Sequence, residues 1–380
     1  MNADLILTNA RIVTADEVVL GTLLLQDGRI AAVDSGVSAV AGAIDCAGDY
    51  LIPGMVELHT DNLDKHIVPR PKVHWPAESA VIAHDAQIAT AGITTVFDSI
   101  AVGDIHHGSD RLATLTAMAE GLANCQRDGM LRVEHFLHLR CEISHGDLRH
   151  QLAELARHPS LRLVSLMDHT PGQRQFADLA QYTTYYKNKY QLNDNELETF
   201  MDRCRTDRER HGEANRAAVI DLAQARGLKL ASHDDATPAH AAEAAAAGAV
   251  VAEFPTTQAA AAALRGHGIR ILSGAPNVVR GESHSGNVSA MALAREGLVD
   301  ILSSDYVPAS LLPAAFRLSR DLDCALHAAV RLVATNPADA MGLDDRGRIA
   351  PGLRADIVRV AERGGMPLVR AVWREGERVA

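Results

Sequence analysis

Short apolar runs in this 380-residue chain end repeatedly in histidine or a carboxylate. The octapeptide Glu57-Leu58-His59-Thr60-Asp61-Asn62-Leu63-Asp64 follows the turn Ile52-Pro53-Gly54-Met55, and strand alternation puts His59 and Asp61 on one face. Other runs end at Glu142, at Asp168-His169, at His233 and at Asp305. Mixed imidazole and carboxylate groups suit Zn²⁺ or Mn²⁺, and a pair of such ions can bridge one hydroxide, which is hydrolytic chemistry. Taken singly, each residue also has a structural explanation: an aspartate can cap the next helix and a histidine can sit satisfied in a core. Their shared place at strand ends favours one site. The expected ligands for one or two divalent ions are therefore His59, Asp61, Glu142, His169, His233 and Asp305.

The elements that must position these groups are legible as alternating runs. Candidate strands are Met55 to Asp61, Thr94 to Asp98, Val133 to Glu142, Leu163 to Asp168, Lys229 to His233, Val250 to Phe254, Arg270 to Ser273 and Ile301 to Asp305. Alanine-rich helical stretches separate them, which predicts an α/β fold with a parallel sheet closed as a (β/α)₈ TIM-type barrel over residues 55–342. In such a barrel the reacting groups gather at the C-terminal ends of the strands. Before it, residues 4 to 52 carry short alternating segments with Asp27-Gly28 between two of them, a hairpin signal because both residues tolerate positive φ. The end of the chain supplies matching runs, Ile349 to Val358 and Leu368 to Trp373. Residues 1–54 and 343–380 are thus expected to form one small β-sandwich.

Composition narrows the function classes. Hydrophobic residues make up 47% and charged residues 22%, which excludes a disordered or coiled-coil chain. A formal charge of -11 excludes a general nucleic-acid binder, which needs a basic face. The five cysteines are scattered without a C-x-x-C pair, as expected of reduced thiols in the cytoplasm. The N-terminus lacks the basic region of a secretory signal, and no run reaches the roughly 18 apolar residues of a membrane span. A cytoplasmic homo-oligomer, a dimer, with no membrane partner is the expectation.

Several of these strings carry a family resemblance. Pro53-Gly54-Met55-Val56-Glu57-Leu58-His59, the strand-ending His233, Ser303-Ser304-Asp305, Asn336-Pro337-Ala338, Gly347, Pro351-Gly352 and Ala355-Asp356 together resemble the amidohydrolase superfamily of metal-dependent barrels, along nearly the whole chain. The longer strings Glu57 to His66, Pro69 to Pro76, Ser165 to Gln175 and Gly274 to Asn287 are similar to its phosphonate-metabolism triphosphate diphosphatases. That resemblance implies metal-dependent hydrolysis of α-D-ribose 1-methylphosphonate 5-triphosphate to the 5-phosphate and pyrophosphate, within the carbon-phosphorus lyase pathway. Three departures from the general superfamily pattern stand out. Asp61 occupies the place of a second histidine, the fourth strand offers Asp168 and His169 but no lysine, and the sixth reads Ala252-Glu253-Phe254-Pro255 where a histidine is usual. Glu142 is the candidate replacement for the missing lysine bridge. An oxygen-rich ligand set favours phosphoryl oxygens over amides.

A phosphorylated sugar substrate needs cations that the acidic chain must supply locally. Lys65, Arg70 and Lys72, with His66 and His74, follow the first ligand pair directly, and arginine can grip phosphate with two parallel hydrogen bonds. Tyr186, Lys187 and Lys189 lie in the long insertion after the fourth strand, where they are either an ordinary amphipathic helix or part of a lid. The loop from Asn277 to Asn287 offers Asn277, Arg280, His284 and Asn287. Lys65, Arg70, Lys72, Tyr186, Lys187, Lys189, Asn277, Arg280, His284 and Asn287 are expected to bind substrate, with Asp305 accepting the proton of the attacking water. A cyclic-amide or N-acyl amidohydrolase and a metal-free scaffold are the rival readings.

Overall fold

A computed structural model describes residues 4–105, 110–174, 183, 187, 193–281 and 287–380. Eight parallel strands form the barrel: β6 (Met55–Thr60), β7 (Ile93–Val102), β8 (Glu134–Glu142), β9 (Leu161–Met167), β10 (Lys229–His233), β11 (Val251–Glu253), β12 (Arg270–Gly274) and β13 (Ile301–Ser303). They pair in strict chain order from β6 to β13. The ring is completed by a parallel bridge between Thr60 and Asp305, where the Asp305 amide donates to the His59 carbonyl at 3.1 Å.

The seam has its own stitch. Glu57, fully buried, accepts from the His59 amide at 2.7 Å, the Ser303 hydroxyl at 2.7 Å and the Ser304 amide at 2.6 Å. One side chain thereby ties the first strand to the last. Burial pushes its pKa up to about 7 against the pull of these hydrogen bonds.

Alternation explains why chemistry collects at one end. Val56, Leu58, Phe97, Phe136, Leu163, Ala231, Val251, Leu272 and Ile301 form one buried cluster, with every strand contributing. These residues fill the barrel, so it is a packed core and not a pore. Two residues further along several strands, on the same inward face, stand His138, Ser165, His233, Glu253 and Ser303. The opposite face of β8, through Leu137, Leu139 and Cys141, packs into the cluster that contains Val81, Leu122 and Leu152 from the surrounding helices.

Strands β11 and β13 stop short of expectation for one reason. Asp234, Phe254 and Asp305 adopt φ of 55°, 54° and 51°. A left-handed residue cannot continue a strand, so β11 ends at Glu253 and β13 at Ser303 while the chain turns into the loops. Asp61 likewise leaves β6 and becomes the N-terminal boundary of the helix Asn62–Ile67.

The two chain ends build one connected sheet. β1 (Leu5–Val13), β2 (Val18–Gln26), β3 (Arg29–Ser35), β4 (Ile44–Asp45) and β5 (Tyr50–Pro53) join β14 (Ile357–Arg363), β15 (Met366–Arg374) and β16 (Glu377–Arg378) through the antiparallel pairing of β5 with β14. The expected sandwich thus takes the form of a continuous sheet around Leu7, Leu23, Ile30, Leu51, Ile357 and Trp373. Asp27 and Gly28, at φ 49° and 75°, make the hairpin turn between β2 and β3.

A buried polar brace holds the segment after β6. Asn62 donates to His84 Nδ1 at 3.0 Å, which leaves His84 Nε2 to donate to Asp98 at 2.7 Å. His135 bonds the other Asp98 oxygen at 2.7 Å and Asp85 at 3.3 Å. Burial opposes charge on His135, but Asp98 and Asp85 outweigh it and push its pKa up to about 9. His84, Asp98 and His135 also have the makings of a metal cluster. With these hydrogen bonds in place they act as a brace between the barrel wall and the helix that Asp61 opens.

Candidate active site

The barrel mouth is organised by two carboxylates that each hold a histidine. Glu253 accepts from His233 Nδ1 at 3.0 Å and lies 2.9 Å from His59 Nδ1. The two imidazoles stack with centroids 5.4 Å apart, and Phe254 meets both edge-on. Burial pushes the His233 pKa down to about 3, so the ring is neutral and its Nε2 presents a lone pair. Glu142 does the same for His169: Oε2 is 2.7 Å from His169 Nδ1, and Oε1 accepts from Ser144. Burial opposes a proton on His169, but Glu142 outweighs it and raises the pKa.

Both Nε2 atoms face Asp234. His233 Nε2 is 3.4 Å and His169 Nε2 3.8 Å from Asp234 Oδ2, a buried oxygen that has no hydrogen-bond partner among the described residues. Ligands bound tetrahedrally at about 2.1 Å stand about 3.4 Å apart, so this trio fits a divalent ion. Carboxylates that orient metal-binding imidazoles from behind are a recurrent feature of such sites.

A second acidic group adjoins the trio. Burial, reinforced by the nearby Asp61 charge, pushes Asp305 up to about 7, while Arg140 pulls the other way. Burial also pushes Asp234 up to about 7, opposed by His169 and Arg140. Arg140 Nη1 lies 3.5 Å from Asp61 Oδ2. The mouth therefore concentrates carboxylates whose charge is incompletely compensated by protein groups.

His59, Asp61, His169, His233 and Asp305 stand at this mouth. Glu142 stands behind His169, with Oε2 on His169 Nδ1 and Oε1 accepting from Ser144. Asp168 turns outward, bonded to Arg208 Nε at 2.7 Å on the helix Asp194–Arg226. Four participants went unassigned in the sequence. Asp234 and Arg140 lack any motif of their own, whereas Glu253 stands two residues after Val251 as His233 does after Ala231. Glu57 carried a signal as the acidic residue inside an otherwise apolar run. His138, deep in the same layer, has Ser99 and Leu58 on one nitrogen and Ser165 on the other, so it belongs to the wall.

Of the residues expected to bind substrate, Lys65, Arg70 and Lys72 are exposed. Lys65 donates to the Tyr306 carbonyl, next to Asp305. Arg70 and Lys72 are exposed in a turn closed by the Val73 amide on the Arg70 carbonyl at 3.0 Å. Lys72, at φ 65°, curls the segment between them. Asn277 and Arg280 sit on a short helix, Ala275–Arg280, and not on a loop, because Pro276 opens its first turn and Gly281 at φ 92° closes it. Asn287 is half-buried, and Lys187 pairs with Asp194. Tyr186, Lys189 and His284 lie outside the described residues. Among the described residues no helix is long and apolar enough to cross a membrane.

Fold and site together define a barrel hydrolase with a place for divalent ions. The profile of the Amidohydrolase family matches residues 80–380, and the chain belongs to that family. It is 48% identical, over 99% of its length and 100% of the other protein, to the alpha-D-ribose 1-methylphosphonate 5-triphosphate diphosphatase of Escherichia coli (strain K12). Its fold is similar to crystal structures of 5-methylcytosine deaminase from Klebsiella pneumoniae, with a TM-score of 0.66, 17% identity, and coverage of 99% of this chain and 97% of that one. N-acetyl-D-glucosamine-6-phosphate deacetylase from Mycobacterium smegmatis gives a TM-score of 0.63 and 20% identity, over 99% of this chain and 100% of that one. These two likenesses concern the fold alone.

Proposed function

We propose that this chain hydrolyses α-D-ribose 1-methylphosphonate 5-triphosphate to the 5-phosphate and pyrophosphate in cytoplasmic phosphonate catabolism. The observation that carries this reading is the 48% identity to the Escherichia coli diphosphatase along the full length of both proteins. The carboxylate-rich mouth agrees with it, since hard oxygen ligands suit ions that handle phosphoryl groups.

His169, His233 and Asp234 would hold a Zn²⁺ or Mn²⁺ ion, with His59, Asp61 and Asp305 as ligands to it or to a second one. Such an ion, when bound, supplies Lewis acidity at phosphorus and acidifies a water. The protein does the rest. Glu253 and Glu142 fix which imidazole nitrogen faces the mouth, and Phe254 walls two of the rings from solvent. A carboxylate oxygen of Asp305 accepts the proton as water oxygen attacks the α-phosphorus. The bond to the bridging oxygen then breaks, and pyrophosphate leaves with its electron pair. Lys65, Arg70, Lys72, Asn277, Arg280 and Asn287 supply charge and hydrogen bonds at the rim.

Chelator-stripped protein is expected to lose pyrophosphate release and to regain it with Zn²⁺ or Mn²⁺. Asp234 and Asp305 both take up protons as pH falls through about 7, so metal affinity should fall below that pH, by up to about 100-fold per unit. A competition titration against a chromogenic chelator between pH 5.5 and 8 measures this. A flat affinity profile would remove these two carboxylates from the ligand set.

A further inference from the structure

The cations assigned from sequence are rim residues, yet the most deeply placed cation at the mouth is Arg140. It stands on the inward face of β8 between His138 and Glu142, and is only 9% exposed. The other buried arginines bond carboxylates through their terminal amino groups, although the Nε of Arg354 also has no hydrogen-bond partner among the described residues. Arg346, comparably buried, bonds Thr95 and the carboxylates of Asp345 and Glu134. Arg140 is less well met: its terminal amino group only approaches Asp61, at 3.5 Å, and its buried Nε likewise has no hydrogen-bond partner among the described residues. A guanidinium carries five donors in a planar fork, and leaving them unfilled in a buried place is costly. A ligand that fills them would be an oxyanion, and the guanidinium fork matches phosphoryl oxygens.

We infer that Arg140 is a substrate-binding residue whose guanidinium grips phosphoanhydride oxygens at the floor of the mouth. The inference rests on the diphosphatase reading for its substrate but makes a separate claim about oxyanion binding. It also gives the site a basis for specificity. A neutral cyclic amide would gain nothing from this cation, whereas a triphosphate brings the acceptors it lacks.

The test uses metal-loaded wild type, Arg140→Lys and Arg140→Met, with inorganic pyrophosphate as the probe in calorimetric titration. Metal content and circular dichroism are measured alongside. Lys keeps the charge beside Asp61 but loses the fork, so pyrophosphate affinity should drop about 10-fold; Met should lose about 100-fold in affinity and in kcat/KM, with metal retained. Unchanged pyrophosphate affinity in metal-bound Arg140→Lys would overturn the inference. So would misfolding of both variants, which would assign the side chain to the architecture. If Met alone loses metal or fold, the Lys variant decides. Wild type that binds pyrophosphate through Arg140 but does not cleave the triphosphate would sink the diphosphatase reading and leave the oxyanion site standing.

Discussion

Asp305→Asn is expected to lower kcat for pyrophosphate release by about 1,000-fold while the protein stays folded. The reason lies in its position. The carboxyl is buried at the closing seam, on a left-handed residue that turns it out of β13, and burial with the Asp61 charge brings its pKa up to about 7. A base with a pKa near the working pH combines a useful ionised fraction with real driving force for proton removal. Asn keeps the size and the main-chain bond to His59 but cannot take a proton. Turnover measured at saturating substrate, with metal content determined in the same sample, checks this. Near wild-type kcat with metal bound would show that some other group accepts the proton.

Glu57→Ala carries the largest expected loss of stability, about 4 kcal/mol or more. Removing this carboxyl strands the His59 and Ser304 amides in a dry seam, at about 1–3 kcal/mol for each unsatisfied group, and leaves a cavity, while the Ser303 hydroxyl keeps the His59 carbonyl as acceptor. The consequence reaches function, because the same seam sets His59 and Asp305 side by side. Glu57→Gln, which keeps an acceptor, should recover a large part of the loss. Urea unfolding of the three proteins measures the difference. Equal stability of wild type and Glu57→Ala would mean that the seam is held without this residue.

The barrel was readable because each strand is short, apolar and β-rich between helix-forming stretches, and β10 begins and ends where the run Lys229 to His233 does. What hydrophobic periodicity does not encode is where a strand stops pairing. Phe254 and Asp305 continue the apparent run but sit at positive φ, a choice imposed by the turn into the next loop. His233 was legible for the same reason as the strands, since it follows the inward-facing Ala231 by two, whereas His59 follows Glu57. Glu253 obeys the same rule, yet a carboxylate after an apolar pair reads equally well as a capping residue. Glu142 was legible as a carboxylate at its strand end, but its contacts with His169 Nδ1 and the Ser144 hydroxyl come from residues whose approach only the folded chain sets. Arg70 and Lys72 show the limit of adjacency along the chain. The helix Asn62–Ile67 and the turn after it carry them to exposed positions, while the buried cation at the mouth comes from Arg140, far away in sequence.

The most direct test of the account follows the triphosphate itself by ³¹P NMR with metal-reconstituted protein, using ATP and dihydroorotate as competing substrates. The account predicts that α-D-ribose 1-methylphosphonate 5-triphosphate disappears with pyrophosphate and the 5-phosphate rising together in equal amounts, faster than either competitor is consumed. An intact triphosphate alongside an opened dihydroorotate ring would contradict it.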